Sequence, residues 1–70
     1  MMQITTQYIY TYRGEPKRIA IYYHDGAVTT DRGGDYVYTD GELAGTGPLT
    51  DAQREAIAGI LAVHLVPVIP

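Results

Sequence analysis

Few side chains in this sequence could carry out covalent chemistry. The chain contains no cysteine and no serine, so only a threonine hydroxyl could serve as a nucleophile. The candidate bases near neutral pH are the imidazoles of His24 and His64. His24 ends a predicted strand next to Asp25, whose side chain should point to the opposite face, and His64 lies on an apolar helical stripe. We therefore expect packed or rim histidines and a protein that is not an enzyme.

Two further kinds of site can be weighed from residue spacing. Four oxygen ligands for a metal ion lie in one short segment, but their spacing does not match a calcium-binding loop. These residues are Asp31, Asp35, Asp40 and Glu42. The run Gly45-Thr46-Gly47 precedes a predicted helix, as phosphate loops do, but it lacks a third glycine and a lysine, and Asp51 would repel a phosphate. We expect no metal and no cofactor.

Charge is distributed unevenly along the chain, whose formal net charge is −3. The charges from Asp25 to Asp51 sum to −5, whereas those up to His24 sum to +2. An acidic surface repels nucleic acid and attracts basic partners. The same segment is also what a solvated region that aids solubility would contain.

All seven aromatic residues are tyrosines. Their rings are apolar and their hydroxyls polar, which suits half-exposed surfaces and interfaces. Period-two alternation puts Tyr8, Tyr10 and Tyr12 on one strand face, where they either tile a solvated sheet face or close the rim of a thin core. Tyr36 and Tyr38 follow Asp35 and are expected to provide anchoring area beside the acidic residues.

The elements that must position these residues are a set of strands and one helix. Residues rich in Ile, Val, Thr and Tyr predict strands over 3–12, 18–24, 27–30 and 36–39. Asp25-Gly26 and Asp40-Gly41 are hairpin turn signals, and a loop is expected from Arg13 to Lys17. Apolar residues at helical spacing predict a helix over 51–65, with Thr50 and Gln53 forming a capping box.

These elements predict an α+β fold in one domain, 1–70. The sheet should be a small antiparallel meander of three or four strands, with one C-terminal helix packed on one face. Gly59 inside the helix is expected to mark a close backbone approach. The apolar stretch from Ala56 to Pro70 is too short for a bilayer crossing, and the N-terminus lacks the features of a signal peptide.

The charge and aromatic patterns together predict a surface that binds a basic protein. Its candidate residues are Asp25, Asp31, Asp35, Tyr36, Tyr38, Asp40, Glu42 and Asp51. Carboxylates on a rigid scaffold can occupy a phosphate-binding groove, because duplex DNA presents closely spaced negative charges. The expected partner is a DNA-binding protein, with no direct binding to nucleic acid or membrane.

In size, acidity and absence of cysteine, the whole chain resembles the small anti-CRISPR proteins of phages, in particular those acting on type I systems such as type I-C. The resemblance includes no diagnostic motif, so no functional residue of the family can be assigned to a position in this chain. It implies an inhibitor in the bacterial host cytoplasm that binds a CRISPR effector subunit and blocks DNA binding by the surveillance complex, in some members by DNA mimicry. It is consistent with a monomer or weak homodimer. The alternative is an assembly module that self-associates through the helix and the apolar tail.

Overall fold

The structure, a computed structural model, describes residues 2–65 as one antiparallel sheet followed by one helix. The five strands follow each other in sequence order across the sheet, so the connectivity is a meander. They are β1 (Gln3–Tyr12), β2 (Glu15–His24), β3 (Ala27–Thr30), β4 (Asp35–Thr39) and β5 (Glu42–Thr46), with helix α1 at Asp51–Leu65. The predicted α+β class is confirmed, and the sheet has five strands where three or four were expected. No helix within residues 2–65 is long and apolar enough to cross a membrane.

Tight turns join neighbouring strands. In Asp25-Gly26, φ is 47° and 96°, so both residues are left-handed, as the turns that suit the twist of a hairpin require. Arg13-Gly14 has the same character, with φ of 51° and 78°. The expected loop from Arg13 to Lys17 is therefore wrong, because this two-residue turn lets β2 begin at Glu15.

Strand β5 was not expected, because its sequence ends in the glycine-rich run that precedes the helix. Gly45 lies opposite Tyr36 in the β4–β5 ladder. A Cβ atom at Gly45 would overlap the backbone of Asp35, so glycine is needed here for a close approach between two strands. The glycine that suggests a flexible loop in the sequence is thus part of the sheet.

One face of the sheet and one side of the helix form the core. Alternate strand residues point toward the helix, and the helix contributes residues spaced by about one turn. The buried side chains are Ile19, Ile21, Val28, Tyr36, Leu43, Leu49, Ile57, Ala58 and Leu61. Tyr8 and Tyr10 pack against this core from β1 with stacked rings 5.4 Å apart, so they form its rim, whereas Tyr12 is exposed.

Tyr36, on β4, packs against the segment that connects β5 to the helix. Its side chain is only 3% exposed, so the expectation that it lies on the surface is wrong. Its hydroxyl accepts a hydrogen bond from the buried backbone N–H of Leu49, at 3.0 Å. Gly34 and Gly47 lie against the ring, where a Cβ atom on either would overlap it. This packing holds the loop that leads into α1.

Helix α1 begins with the predicted capping box. The backbone N–H of Thr50 donates to the Gln53 side chain at 3.0 Å, and the Gln53 N–H donates to the Thr50 hydroxyl at 3.1 Å. The helix, about 22 Å long, has its closest backbone approaches to β5 and β1, the two edge strands. Ile57 and Leu61 are fully buried against the sheet.

Gly59 does not lie at a close approach. It is exposed, and a Cβ atom there would meet no atom within 4 Å. The expected packing role of this glycine is therefore wrong for contacts within residues 2–65, and the last five residues of the predicted apolar tail lie outside the described residues.

We expect Tyr36→Phe to lower the free energy of unfolding by about 1–2 kcal/mol, because it leaves the buried N–H of Leu49 without its acceptor. Denaturant-induced unfolding followed by circular dichroism measures this change. Tyr12→Phe, at an exposed ring, is the matched control and should change stability by less than about 0.5 kcal/mol. Equal effects of the two substitutions would contradict the role assigned to the Tyr36 hydroxyl.

We expect Gly59→Ala to raise the free energy of unfolding by about 1 kcal/mol, because alanine has the higher helix propensity and there is room for its methyl group. Gly47→Ala is the contrasting substitution and should destabilise, since its methyl group would overlap the Tyr36 hydroxyl. Both are measured by the same unfolding experiment. If Gly59→Ala instead lowered the stability of the chain or weakened its self-association, the helix face around Gly59 would have to lie in a contact.

Candidate functional site

The structure divides the acidic residues that the sequence grouped together. The carboxylate of Asp25 accepts a hydrogen bond from the Met2 N–H at 2.8 Å. The carboxylate of Asp31 accepts one from the Ala20 N–H at 3.2 Å. Each of these side chains satisfies a backbone donor next to the ladder, so both have a structural role at the turns that contain them.

The other candidates on and beside β4 are also separated. Asp35 is exposed at the start of β4 opposite Thr46, and Asp40 is exposed in the β4–β5 turn at the other end of the strand. Tyr38 is half-buried on the helix side, where its ring meets that of Tyr23 edge to face with centroids 6.3 Å apart. With Tyr36 in the core, neither tyrosine offers a freely exposed ring beside these carboxylates.

The remaining candidates, Glu42 and Asp51, line a groove between β5 and α1. This open groove, which we call the acidic groove, has a volume of about 500 Å³. It is lined by Gly41, Glu42, Leu43 and Ala44 from the strand side and by Asp51, Arg54, Glu55 and Ala58 from the helix. Asp51 pairs with Arg54, one turn further along the helix. Glu42 and Glu55 form no ion pair with another described residue.

Rigid elements position the charges of the acidic groove. Glu42 is paired through the sheet with Thr39, and Asp51 and Glu55 lie on a helix whose first turn is fixed by its capping box. The Leu49–Tyr36 hydrogen bond fixes the approach of the helix to the strand. The groove is therefore pre-formed, which reduces the entropy lost when a partner binds.

The fold also separates most of the charges, all except that of Asp25, into two regions. The side made of β4, β5 and α1 has five carboxylates and one guanidinium: Asp35, Asp40, Glu42, Asp51, Glu55 and Arg54. The distal β1–β2 hairpin and the adjoining turn have four cations and two carboxylates: Arg13, Lys17, Arg18, Arg32, Glu15 and Asp31. Arg32 is held there over the Tyr10 ring, 5.5 Å from its centroid. The molecule thus has an acidic side and a mildly basic one.

Glu55 is the site residue that the sequence reasoning missed. In the sequence, the negative charge of Glu55 is cancelled by the positive charge of the neighbouring Arg54, so Glu55 adds nothing to a running sum of charge. A signal was nevertheless present, because Asp51 and Glu55 are four residues apart and must share a helix face. Their position beside β5 depends on how the helix packs, which no local pattern determines.

The described residues offer little geometry for metal or proton chemistry. Within residues 2–65, no three His, Asp or Glu side chains converge to hold a metal ion. The pair His24–Asp25, with Nε2 and Oδ2 3.8 Å apart, is about half exposed, and His64 is exposed on the helix. The arrangement is suited to attracting positive charge at the acidic groove.

The sheet face opposite the helix is open and mostly uncharged. Its larger exposed side chains include Ile9, Tyr22 and Val37, with exposed fractions of 60%, 46% and 54%. The tyrosine that lies on this solvated face is thus Tyr22, whereas Tyr8 and Tyr10 lie on the helix side.

Comparison of this chain with models of protein families, with curated proteins and with solved structures finds no match.

Proposed function

We propose that this protein is an inhibitor that binds the basic, DNA-contacting surface of another protein through the acidic groove. The observation that supports the proposal is the concentration of Glu42, Asp51 and Glu55 in one groove whose described residues include a single cation, Arg54. The proposed target is a DNA-binding protein, specifically a CRISPR effector subunit of a type I system. Binding there would block the access of DNA.

Electrostatics favours this class of partner. The side made of β4, β5 and α1 has a formal charge of −4 and attracts a surface shaped to hold phosphates. Nucleic acid itself is repelled from this side, so direct DNA or RNA binding is not proposed. Opposite charges accelerate the encounter of two proteins, and salt weakens that acceleration because the Debye length is only about 8 Å at physiological ionic strength.

The groove also has a shape that suits a protruding basic group. It is open and bounded by the edge of β5 and by the helix, so a lysine or arginine from the partner can enter beside the Glu55 carboxylate. A guanidinium can bind a carboxylate through two parallel hydrogen bonds, which adds geometric specificity to the attraction. The carboxylates of the groove would then mimic only a few of the phosphates that DNA presents to the partner.

The alternative, an assembly module that self-associates through the helix and the apolar tail, has less support from the described part of the helix. The apolar residues that could have formed a helix–helix contact, Ile57 and Leu61, are fully buried against the sheet. On the outward side of the helix, Val63 is exposed and Gly59 has no close neighbour.

We expect Glu55→Lys and Glu42→Lys each to weaken inhibition about tenfold, because each replaces an attractive charge in the acidic groove with a repulsive one. The measurement is the binding of target DNA by a purified type I-C surveillance complex, titrated with this protein and followed by gel shift. Glu15→Lys, the same charge change at the exposed end of the β1–β2 hairpin, is the matched control and should retain inhibition.

Salt gives a second readout of the same proposal. Binding of the wild-type protein to the complex should weaken between low and physiological ionic strength, and the Glu55→Lys variant should show a shallower dependence. The proposal would be refuted by a wild-type protein that leaves DNA binding intact, or by inhibition that survives reversal of both groove glutamates.

A further inference from the structure

Strand β1 forms one edge of the sheet and lacks the features that usually protect an edge. Among residues 2–65 it pairs with β2 alone, over all ten of its residues. Its sequence, QITTQYIYTY, has no charged residue and no proline. Exposed edges in natural proteins are usually blocked by such residues, because unpaired backbone groups are templates for another strand.

The hydrogen bonds at either side of the β1–β2 ladder show which backbone groups of β1 point outward. The Met2 carbonyl accepts from the Asp25 N–H at 3.1 Å, and the Met2 N–H donates to the same residue, so Met2 directs both groups toward β2. Groups alternate along an antiparallel strand, and the register has no bulge. The residues whose N–H and C=O point away from β2 are therefore Gln3, Thr5, Gln7, Ile9 and Thr11.

A second observation confirms this alternation in the middle of the strand. Ala20 lies opposite Gln7, and both of its backbone groups bond to Asp31, on the side away from β1. Gln7 and Ala20 are thus a pair without mutual hydrogen bonds, and each directs its backbone groups outward. Gln7 is the central residue of the five outward-directed ones.

The corresponding edge of β2, beyond the end of β3, has a feature that hinders strand pairing at each outward residue. Asp31 bonds both backbone groups of Ala20, and the guanidinium of Arg32 lies 3.5 Å from the Arg18 carbonyl. Pro16 has no N–H to offer. The same hairpin therefore has one edge that the chain protects and one, on β1, that the described residues leave open.

We propose that β1 pairs antiparallel with β1 of a second copy of this chain, around a two-fold axis at Gln7. This register places Gln7 opposite Gln7, Thr5 opposite Ile9 and Gln3 opposite Thr11. All five outward-directed residues then become hydrogen-bonded pairs, with about ten new backbone bonds. The product is one continuous sheet of two five-stranded halves.

The side chains of β1 suit its own copy in this register. On the helix side, Ile4 lies opposite Tyr10 and Thr6 opposite Tyr8, so the partner would cover two tyrosines that remain half-buried in the single chain. These pairs lack mutual hydrogen bonds, and side chains in such pairs approach most closely. Since the strand is uncharged, the two-fold axis brings no like charges together.

The net charge of −3 does not oppose this dimer strongly. The acidic groove lies at the β5 edge, four strand spacings from β1, or about 19 Å of sheet. The carboxylates on β5 are therefore remote along the sheet, whereas those on α1 lie nearer because the helix approaches both edge strands. Both grooves remain free, so the inference goes beyond the proposed function and does not depend on it.

The test introduces charges at Gln7, which lies at the two-fold axis, and measures the dimer Kd of the full chain by sedimentation equilibrium. Gln7→Lys places two lysines opposite each other and should raise the dimer Kd about fivefold, as should Gln7→Glu. An equimolar mixture of the two variants should associate at least as tightly as the wild type, because Lys then faces Glu. Thr29→Lys, on the same exposed sheet face but on the interior strand β3, is the control and should leave the Kd unchanged.

Amide hydrogen exchange by NMR provides the second readout. The amides of Thr5, Gln7 and Ile9 should gain protection as concentration rises, while those of Thr6 and Tyr8, already bonded to β2, should be protected throughout. A wild-type chain that stays monomeric at millimolar concentration would overturn the proposal. So would a dimer insensitive to Gln7→Lys, or variants whose mixture fails to regain association; in those cases another protein strand or another face becomes the candidate contact.

Discussion

The hydrogen bond between the Tyr36 hydroxyl and the Leu49 N–H links the two layers of this fold. Tyr36 extends from the sheet into the core, and Leu49 lies just before the helix, so one buried ring joins the strand to the helix entry. The loop between them can follow this path because Gly47 leaves room for the ring. The position of α1, and with it the acidic groove, depends on this contact.

The parts of the structure that could be predicted from the sequence are those determined by near neighbours in the chain. Alternating β-branched residues and tyrosines place β1, and the Thr50 and Gln53 side chains bond reciprocally as their spacing indicates. The turn at Asp25-Gly26 follows from the ease with which both residues adopt positive φ. Each of these features requires only a few consecutive residues.

The parts that could not be predicted depend on contacts between distant segments. Gly45 suggests a loop when only the sequence is considered. In the fold, the backbone of Asp35 occupies the space where a side chain at position 45 would lie. Tyr36 could equally be a surface residue, because a tyrosine ring and hydroxyl suit both environments. The acidic groove requires Asp51 and Glu55 of the helix to lie beside β5, an arrangement that only tertiary packing creates.

The meander also bears on how quickly the protein can reach this structure. Each strand pairs with its neighbour in sequence, and turns as short as two residues close those pairs, so little chain entropy is lost before contacts form. The approach of α1 to β1 is the exception, since it joins opposite ends of the chain. Low contact order is associated with rapid folding. We therefore expect successive hairpin formation, with helix docking last, and a chain that can become functional soon after its synthesis.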